Sequence, residues 1–316
     1  MFEKRIVYVS KFFFAISTFV NLSGNMSTKI RTTLFLLSIC LSGILKAQSS
    51  LLWEVKSPDN KNVSYIYGTM HVEDERVFDF GDSLMICFNQ CKAFAGEIVL
   101  DKVNKSELAS QIFMPGDTTL KMLIGKKKYK QVKRKARKSL GVFAGLINRV
   151  KPIFTASLIS ESSFKKGKGK ILDEYFQDLA KEKQMVLLGI ESPSEQIAAL
   201  DEIPLAEQAQ MLIESLEAPA EEDGADELVK IYNTGDLDSL YNYFLKFDLS
   251  DNFTRSLLTK RNYVMSERIQ DIINEYPVFV GIGAAHLPGE EGVLNLMVKQ
   301  GYIVRPVQIK TNKNKK

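Results

Sequence analysis

The sequence predicts an α/β domain: a mixed β-sheet with flanking helices. Three observations carry that prediction. Short apolar runs recur with helix-forming stretches between them, a hairpin pattern opens the folded part of the chain, and two of the apolar runs end in the same signature, G-x-x-H. Leu51 to Lys56 and Val63 to Tyr67 flank the turn residues Pro58 to Asn62, which reads as a hairpin whose second strand ends at Gly68. A helix is expected over about 80–92, followed by a buried strand from Ala93 to Leu100. Helices are expected over about 104–165 and 171–183, then a strand from Met185 to Glu191. Ser192-Pro193 is a helix start signal and opens helices that run to about 272. A strand over Val278 to Ile282, a helix over 290–300 and a last strand over Tyr302 to Val307 complete the pattern, and the basic tail 310–316 is expected to be disordered.

The N-terminal residues are expected to be a leader rather than part of the fold. Met26 to Arg31 is a basic start, Thr33 to Leu45 is an apolar stretch, and Ala47 follows as a small residue suited to cleavage. The apolar stretch is short for a membrane span. Residues 26–47 are therefore expected to be a signal peptide, 1–25 an upstream extension, and 48–309 one exported domain, periplasmic or secreted. A lipid anchor at Cys40 is disfavoured by Ile39, which stands where a small residue is wanted.

Setting aside residues 1–47, with six basic residues and one acidic, leaves 36 basic against 37 acidic residues, so the basic balance of the whole chain gives no case for nucleic acid binding. Charge is unevenly spread, however. Residues 121–170 hold sixteen Lys and Arg against one acid, and 191–251 hold sixteen acids against two lysines. The run from Lys126 to Lys138 is either a solvated helix face, matched against the acidic half, or a docking face for an anionic partner outside the cytoplasm, lipopolysaccharide or an acidic envelope glycan. Cys87 and Cys91, four apart on an expected helix, sit too far apart for an unstrained disulfide and are expected to be buried thiols.

Chemistry concentrates on the only two histidines, His71 in GTMH and His286 in GAAH. Each stands three residues after a glycine, a coincidence expected by chance in well under about 1% of such pairs. Each also follows an expected strand, and open α/β sheets hold ligands beyond their strands' carboxyl ends. Two imidazoles make a weak metal site, so carboxylates are needed. Glu97 interrupts an apolar strand, where a charge requires a cation or hydrogen-bond donors beside it, and Glu191 ends a third apolar run in the same way. Asp101, Glu73 and Asp74 read as surface residues. HExxH and GxSxG are absent, and Gly281-Ile-Gly283 has His286 where a dinucleotide loop needs its third glycine.

GTMH with Glu97, GIES with Gln196, YNTGDLDSL, KRNYVMSERI and VFVGIGAAHLPGEEGVLNLMVKQGYIVRPV together resemble the TraB/PrgY/GumN family, which includes the Tiki proteins, over about Leu51 to Val307. The resemblance implies a single domain of the TraB/GumN (Tiki-like) type, membrane-associated or exported, with Tiki relatives acting as divalent-cation proteases on secreted signalling proteins. It assigns the two G-x-x-H motifs to His71 and His286, the strand glutamate to Glu97, and a helical Arg-Asn pair to Arg261 and Asn262. The expectation is an exported metal-dependent hydrolase acting on a peptide or protein. His71, His286 and Glu97 would hold Mn, Co or Zn, Glu191 would accept a proton, and Arg261 would steady the developing oxyanion. The alternative is a non-catalytic envelope protein that binds a peptide or anionic glycan through its basic helix.

Overall fold

The computed structural model describes residues 50–59, 62–102, 110–161, 170–217, 224–245 and 250–309. The expected leader and extension (1–47) and the expected basic tail (310–316) lie outside these residues. Ser49–Lys316 forms a compact unit by itself. Among the described residues no helix is long and apolar enough to cross a membrane.

Six strands form one mixed sheet: β1 (Leu52–Lys56), β2 (Val63–Thr69), β3 (Ala93–Gly96), β4 (Val186–Gly189), β5 (Val278–Gly283) and β6 (Ile303–Val307), in the order β4-β3-β5-β2-β1-β6. β1 is the antiparallel hairpin partner of β2 and also pairs antiparallel with β6, whereas β2, β5, β3 and β4 are mutually parallel. β5 inserts between β2 and β3, so the chain leaving β2 must cross over it, and this is the reversal point at which open sheets form their crevice.

Helices α1 (Asp82–Asn89), α2 (Leu120–Leu140), α3 (Pro152–Glu161), α4 (Leu172–Glu182), α5 (Pro193–Asp201), α6 (Leu205–Glu217), α7 (Gly224–Thr234) and α8 (Leu237–Leu245) follow in chain order. A short α9 (Asp251–Thr254) runs through a π-helical turn (Arg255–Thr259) into α10 (Lys260–Glu275), and α11 (Val293–Lys299) precedes β6. Ser192 begins α5 with the reciprocal capping pair expected of S-P-S-E. Its hydroxyl accepts from Glu195 N, and the Glu195 carboxylate accepts from Ser192 N. The stretch expected to be helical over 104–165 is more broken than its composition suggests. Phe113 and Val150 form an isolated antiparallel bridge, Gly125 breaks α2 at φ +77°, and Gly141–Asn148 is a 3-10 helix.

Apolar packing explains this arrangement. Phe88 of α1 and Phe176 of α4 pack on Phe94 and Phe279 of the sheet, with ring centroids 5.0–6.3 Å apart. A second, smaller core of Leu120, Val132, Ala136, Ile147, Leu212 and Ile213 joins α2, the 3-10 helix and α6. Cys87 and Cys91 are free and buried, as expected.

Gly68 shows why the first G-x-x-H motif needs its glycine. A Cβ there would stand 2.8 Å from Leu287 Cδ1 and 3.1 Å from the Ala284 backbone, because the end of β2 lies directly against the turn that follows β5. Gly68→Ala is therefore expected to cost about 1–3 kcal/mol by overpacking, and Leu287→Ala, fully buried, about 2–5 kcal/mol by leaving a cavity. Denaturant unfolding of the double variant should show less destabilisation than the sum of the two single losses, and strict additivity would mean that the two loops do not press on each other.

Candidate active site

Four neighbouring parallel strands end at the same edge of the sheet, and each delivers one of the predicted site side chains just past its carboxyl end: Glu191 after β4, Glu97 after β3, His286 after β5 and His71 after β2. Register brings them together, since Thr69 stands opposite Gly283, and Gly96 stands opposite both Gly281 and Gly189. The strand bearing Glu97 is shorter than expected. Its ladder closes at Gly96, so Glu97 lies at the sheet's rim instead of within a strand running on to Leu100.

Glu97 is the hub. Its Oε1 accepts from Gly283 N (2.8 Å), and its Oε2 accepts from Arg261 Nη2 (2.9 Å) and Gln196 Nε2 (2.9 Å). The side chain is 9% exposed. His71 Nε2 and His286 Nε2 both face the same oxygen, Oε1, at 3.8 and 3.9 Å. Burial acts against the charge on Glu97, but His71, His286 and Arg261 outweigh it and hold the carboxyl far below the usual carboxylate range.

Each imidazole is anchored from behind. His71 Nδ1 lies 2.8 Å from Asp173 Oδ2, and Asp173 Oδ1 accepts from Thr69 Oγ1 at 3.1 Å. His286 Nδ1 lies 2.6 Å from Asn262 Oδ1, and Asn262 Nδ2 donates to Glu291 O at 2.8 Å, which fixes the amide's orientation. With an acceptor against each Nδ1, that nitrogen carries the proton of a neutral ring, and the Nε2 lone pair is left pointing at Glu97. The two rings differ in charge. Burial pushes His286 down to about 4, with Arg261 and His71 adding to the effect against Glu97. Burial also works against a proton on His71, but Asp173 and Glu97 overcome it and push that ring up to about 10. His286 is buried, whereas the His71 side chain is 52% exposed, so the site has a closed floor and an open side.

Arg261 is more fully engaged than its place beside Lys260 on a helix suggests. Nε and Nη2 grip Glu191 at 3.0 and 2.6 Å, Nη2 also reaches Glu97, and Nη1 donates to Leu257 O at 3.2 Å. Of its five N–H groups, one on Nη1 has no partner among the described residues. Glu191 has both oxygens taken by Arg261, and Gln196 Nε2 adds a third donor at 3.2 Å. The carboxylate expected to receive a proton is thus bound as a guanidinium holder. Asp74, expected at the surface, is buried and caps a 3-10 turn through Arg76.

Asp173 was legible and missed. It falls with Phe176, Gln177 and Ala180 on the buried stripe of α4, and an acid at i of an i, i+3, i+4, i+7 apolar face needs a partner. Gln196 is likewise a ligand of both glutamates, not only part of a motif.

By residue type, two imidazoles and a carboxylate are donors that a divalent cation takes. Both Nε2 atoms face Glu97 Oε1, which also accepts from Gly283 N. Gly283 leaves that point open, since a Cβ there would lie 3.2 Å from Glu97 Oε1, 3.5 Å from His286 Cδ2 and 3.8 Å from His71 Nε2. The nitrogen-to-oxygen separations of 3.8 and 3.9 Å exceed by a few tenths of an ångström the ~3.4 Å between donors on a tetrahedral ion with ~2.1 Å bonds. Among the described residues, no group of three or more His, Cys, Asp and Glu has the geometry to hold a metal ion.

Comparison with known proteins agrees with the sequence resemblance. The chain is 25% identical to the metalloprotease TIKI1 of Xenopus tropicalis over 81% of its own length, and 24% identical to the metalloprotease TIKI2 of Danio rerio over 82%. A metalloprotease TIKI homolog of Nematostella vectensis is 23% identical over 82% of the chain. The match spans 61% of the length of the first two relatives and 67% of the third. No solved structure matches. The TraB/PrgY/gumN family model covers residues 51–306, every strand and all four strand-end residues of the site among them, and the chain belongs to the TraB/PrgY/gumN family.

Proposed function

We propose that the protein is a metal-dependent hydrolase that cleaves peptides or proteins outside the cytoplasm. One observation carries this reading: the Nε2 atoms of both G-x-x-H histidines face a single oxygen of a buried, ionised glutamate, across a point that Gly283 keeps free of side chain. The similarity to metalloproteases supplies the substrate class. His71, His286 and Glu97 would hold the ion. A bound divalent cation would lower the pKa of a water molecule and polarise a carbonyl.

This chain's own residues then have distinct roles. Asp173 and Asn262 fix the ring orientations, so that neither imidazole must be ordered when a ligand arrives. Glu97 would act as the acidic ligand and not as the base, because Gly283, Arg261 and Gln196 donate to its oxygens and its carboxyl is held far below the usual carboxylate range. Arg261 is locked by Glu191 and offers its uncommitted N–H to a developing oxyanion. The half-exposed His71 marks the side from which an extended peptide would approach.

Chain from Ser49 onward is expected to take up about one Mn, Co or Zn ion, and to cleave members of a peptide library in a reaction that chelation stops and metal restores, read by mass spectrometry. His71→Ala and His286→Ala should each abolish uptake, and full binding by either variant would remove the site. Gly283→Ala is a sharper test, because Gly283 has φ −51°, a value that alanine accepts. Its thermal midpoint should stay near that of the parent while ion affinity falls on the order of tenfold or more, as the new methyl crowds Glu97 Oε1. A pH series adds the sign. Without the ion His71 holds its proton up to about 10 while His286 is already neutral above about 4, so at neutral pH binding must expel a proton from His71. Affinity should rise about tenfold per pH unit through the neutral range, with about one proton released per ion in titration calorimetry across buffers of different ionisation heat.

A further inference from the structure

The basic run of α2 is a built surface. With one residue every 100°, Lys127, Lys130, Arg134, Arg137 and Lys138 fall within about 100° of one another, on the side opposite the buried Val132 and Ala136. All five are exposed. The acidic half of the chain does not neutralise them. Lys128 reaches Glu217 at 3.4 Å and Lys135 donates to Leu216 O at 2.9 Å, but none of the five has a carboxylate partner among the described residues.

A second feature lies on the segment that follows α2 and packs with it through Ala144 and Ile147. After Gly141 reverses the chain at φ +54°, the 3-10 helix runs back along α2 to Asn148, whose Oδ1 accepts from Lys121 N at 3.1 Å. Ala144 and Ile147 point into the core, yet Val142 is 91% exposed and Leu146 59% exposed, and Met122 on the first turn of α2 is 72% exposed. A merely solvated face accounts for the cations and leaves these aliphatic side chains unexplained. A dissolved polyanion would use the charges alone. A surface that presents phosphates above hydrocarbon uses both, since the cations meet headgroups while the aliphatic side chains enter the acyl boundary.

We propose that the face made by α2 and the 3-10 helix Gly141–Asn148 docks the folded domain on an anionic lipid bilayer. The inference is independent of the hydrolase reading, because it uses none of that site's residues. The test is vesicle co-sedimentation of the chain from Ser49 onward, which forms a compact unit without the preceding apolar residues. Vesicles of phosphatidylcholine containing about one third phosphatidylglycerol should carry the protein down, pure phosphatidylcholine should not, and added salt should release it. Joint substitution of Lys127, Lys130, Arg134 and Lys138 by Gln should weaken binding on the order of a hundredfold, and Val142→Ser with Leu146→Ser about tenfold, both with unchanged thermal midpoints. Three results would overturn the proposal: no sedimentation with the anionic vesicles at low salt, variants of parental stability that bind like the parent, or heparin binding that matches vesicle binding with the serine pair without effect on either. The last would make the face a site for soluble polyanions.

Discussion

A buried negative charge organises this molecule. Glu97 sits at the sheet's rim with 9% of its side chain exposed, and its two oxygens receive a backbone amide from β5, a guanidinium from α10 and an amide from α5. Those elements lie 99 to 186 residues away from it in the chain, so one carboxylate ties together segments that share no local sequence. Taking a charge into such surroundings is costly, and removing one partner of a buried pair leaves the other uncompensated at a cost of roughly 3–5 kcal/mol. That penalty falls on Arg261, which grips Glu191 and reaches Glu97, so its loss would leave both carboxylates without their guanidinium, whereas Gln196 adds a neutral donor to each.

The environment also separates two chemically identical rings. His286 and His71 follow strands that pair directly, and both face Glu97, yet one is buried beside an amide and the other half-exposed beside a second carboxylate. The neutral acceptor Asn262 cannot compensate a proton on His286, whereas Asp173 can on His71. One imidazole is thus held neutral, and the other carries a proton between two carboxylates.

Much of this was legible in the chain. The G-x-x-H signatures marked strand ends, and their glycines prove to be points where one loop presses on another: Gly68 against Leu287, Gly283 against the donors themselves. Glu97 announced itself as a charge among apolar residues. The end of its strand was not readable, because it is set by pairing: β4 ends at Gly189 opposite Gly96, and the ladder with β5 closes at Gly281 although β5 itself runs on to Gly283. Glu191 looked like a free acid for the same reason, since the arginine that occupies it lies 70 residues on. Asp173 was visible as a polar break in an amphipathic stripe, but its partner could be found only in three dimensions. The helical region near α2 was read as more regular than it is, because Gly125 and Gly141 take positive φ values that composition alone does not demand.

The π-helical turn between α9 and α10 has a bearing on how this site could arise or be lost. A π turn inserts one residue into an α-helical ladder and so rotates everything after it by about 100°. Arg261 and Asn262 lie within three residues of the end of that turn, and they supply the guanidinium for Glu97 and the anchor for His286. Loss of a single codon between Arg255 and Thr259 would leave the helix intact and better formed, yet swing both side chains off the rim of the sheet. The phase of one helix, not its stability, is what the chemistry hangs on.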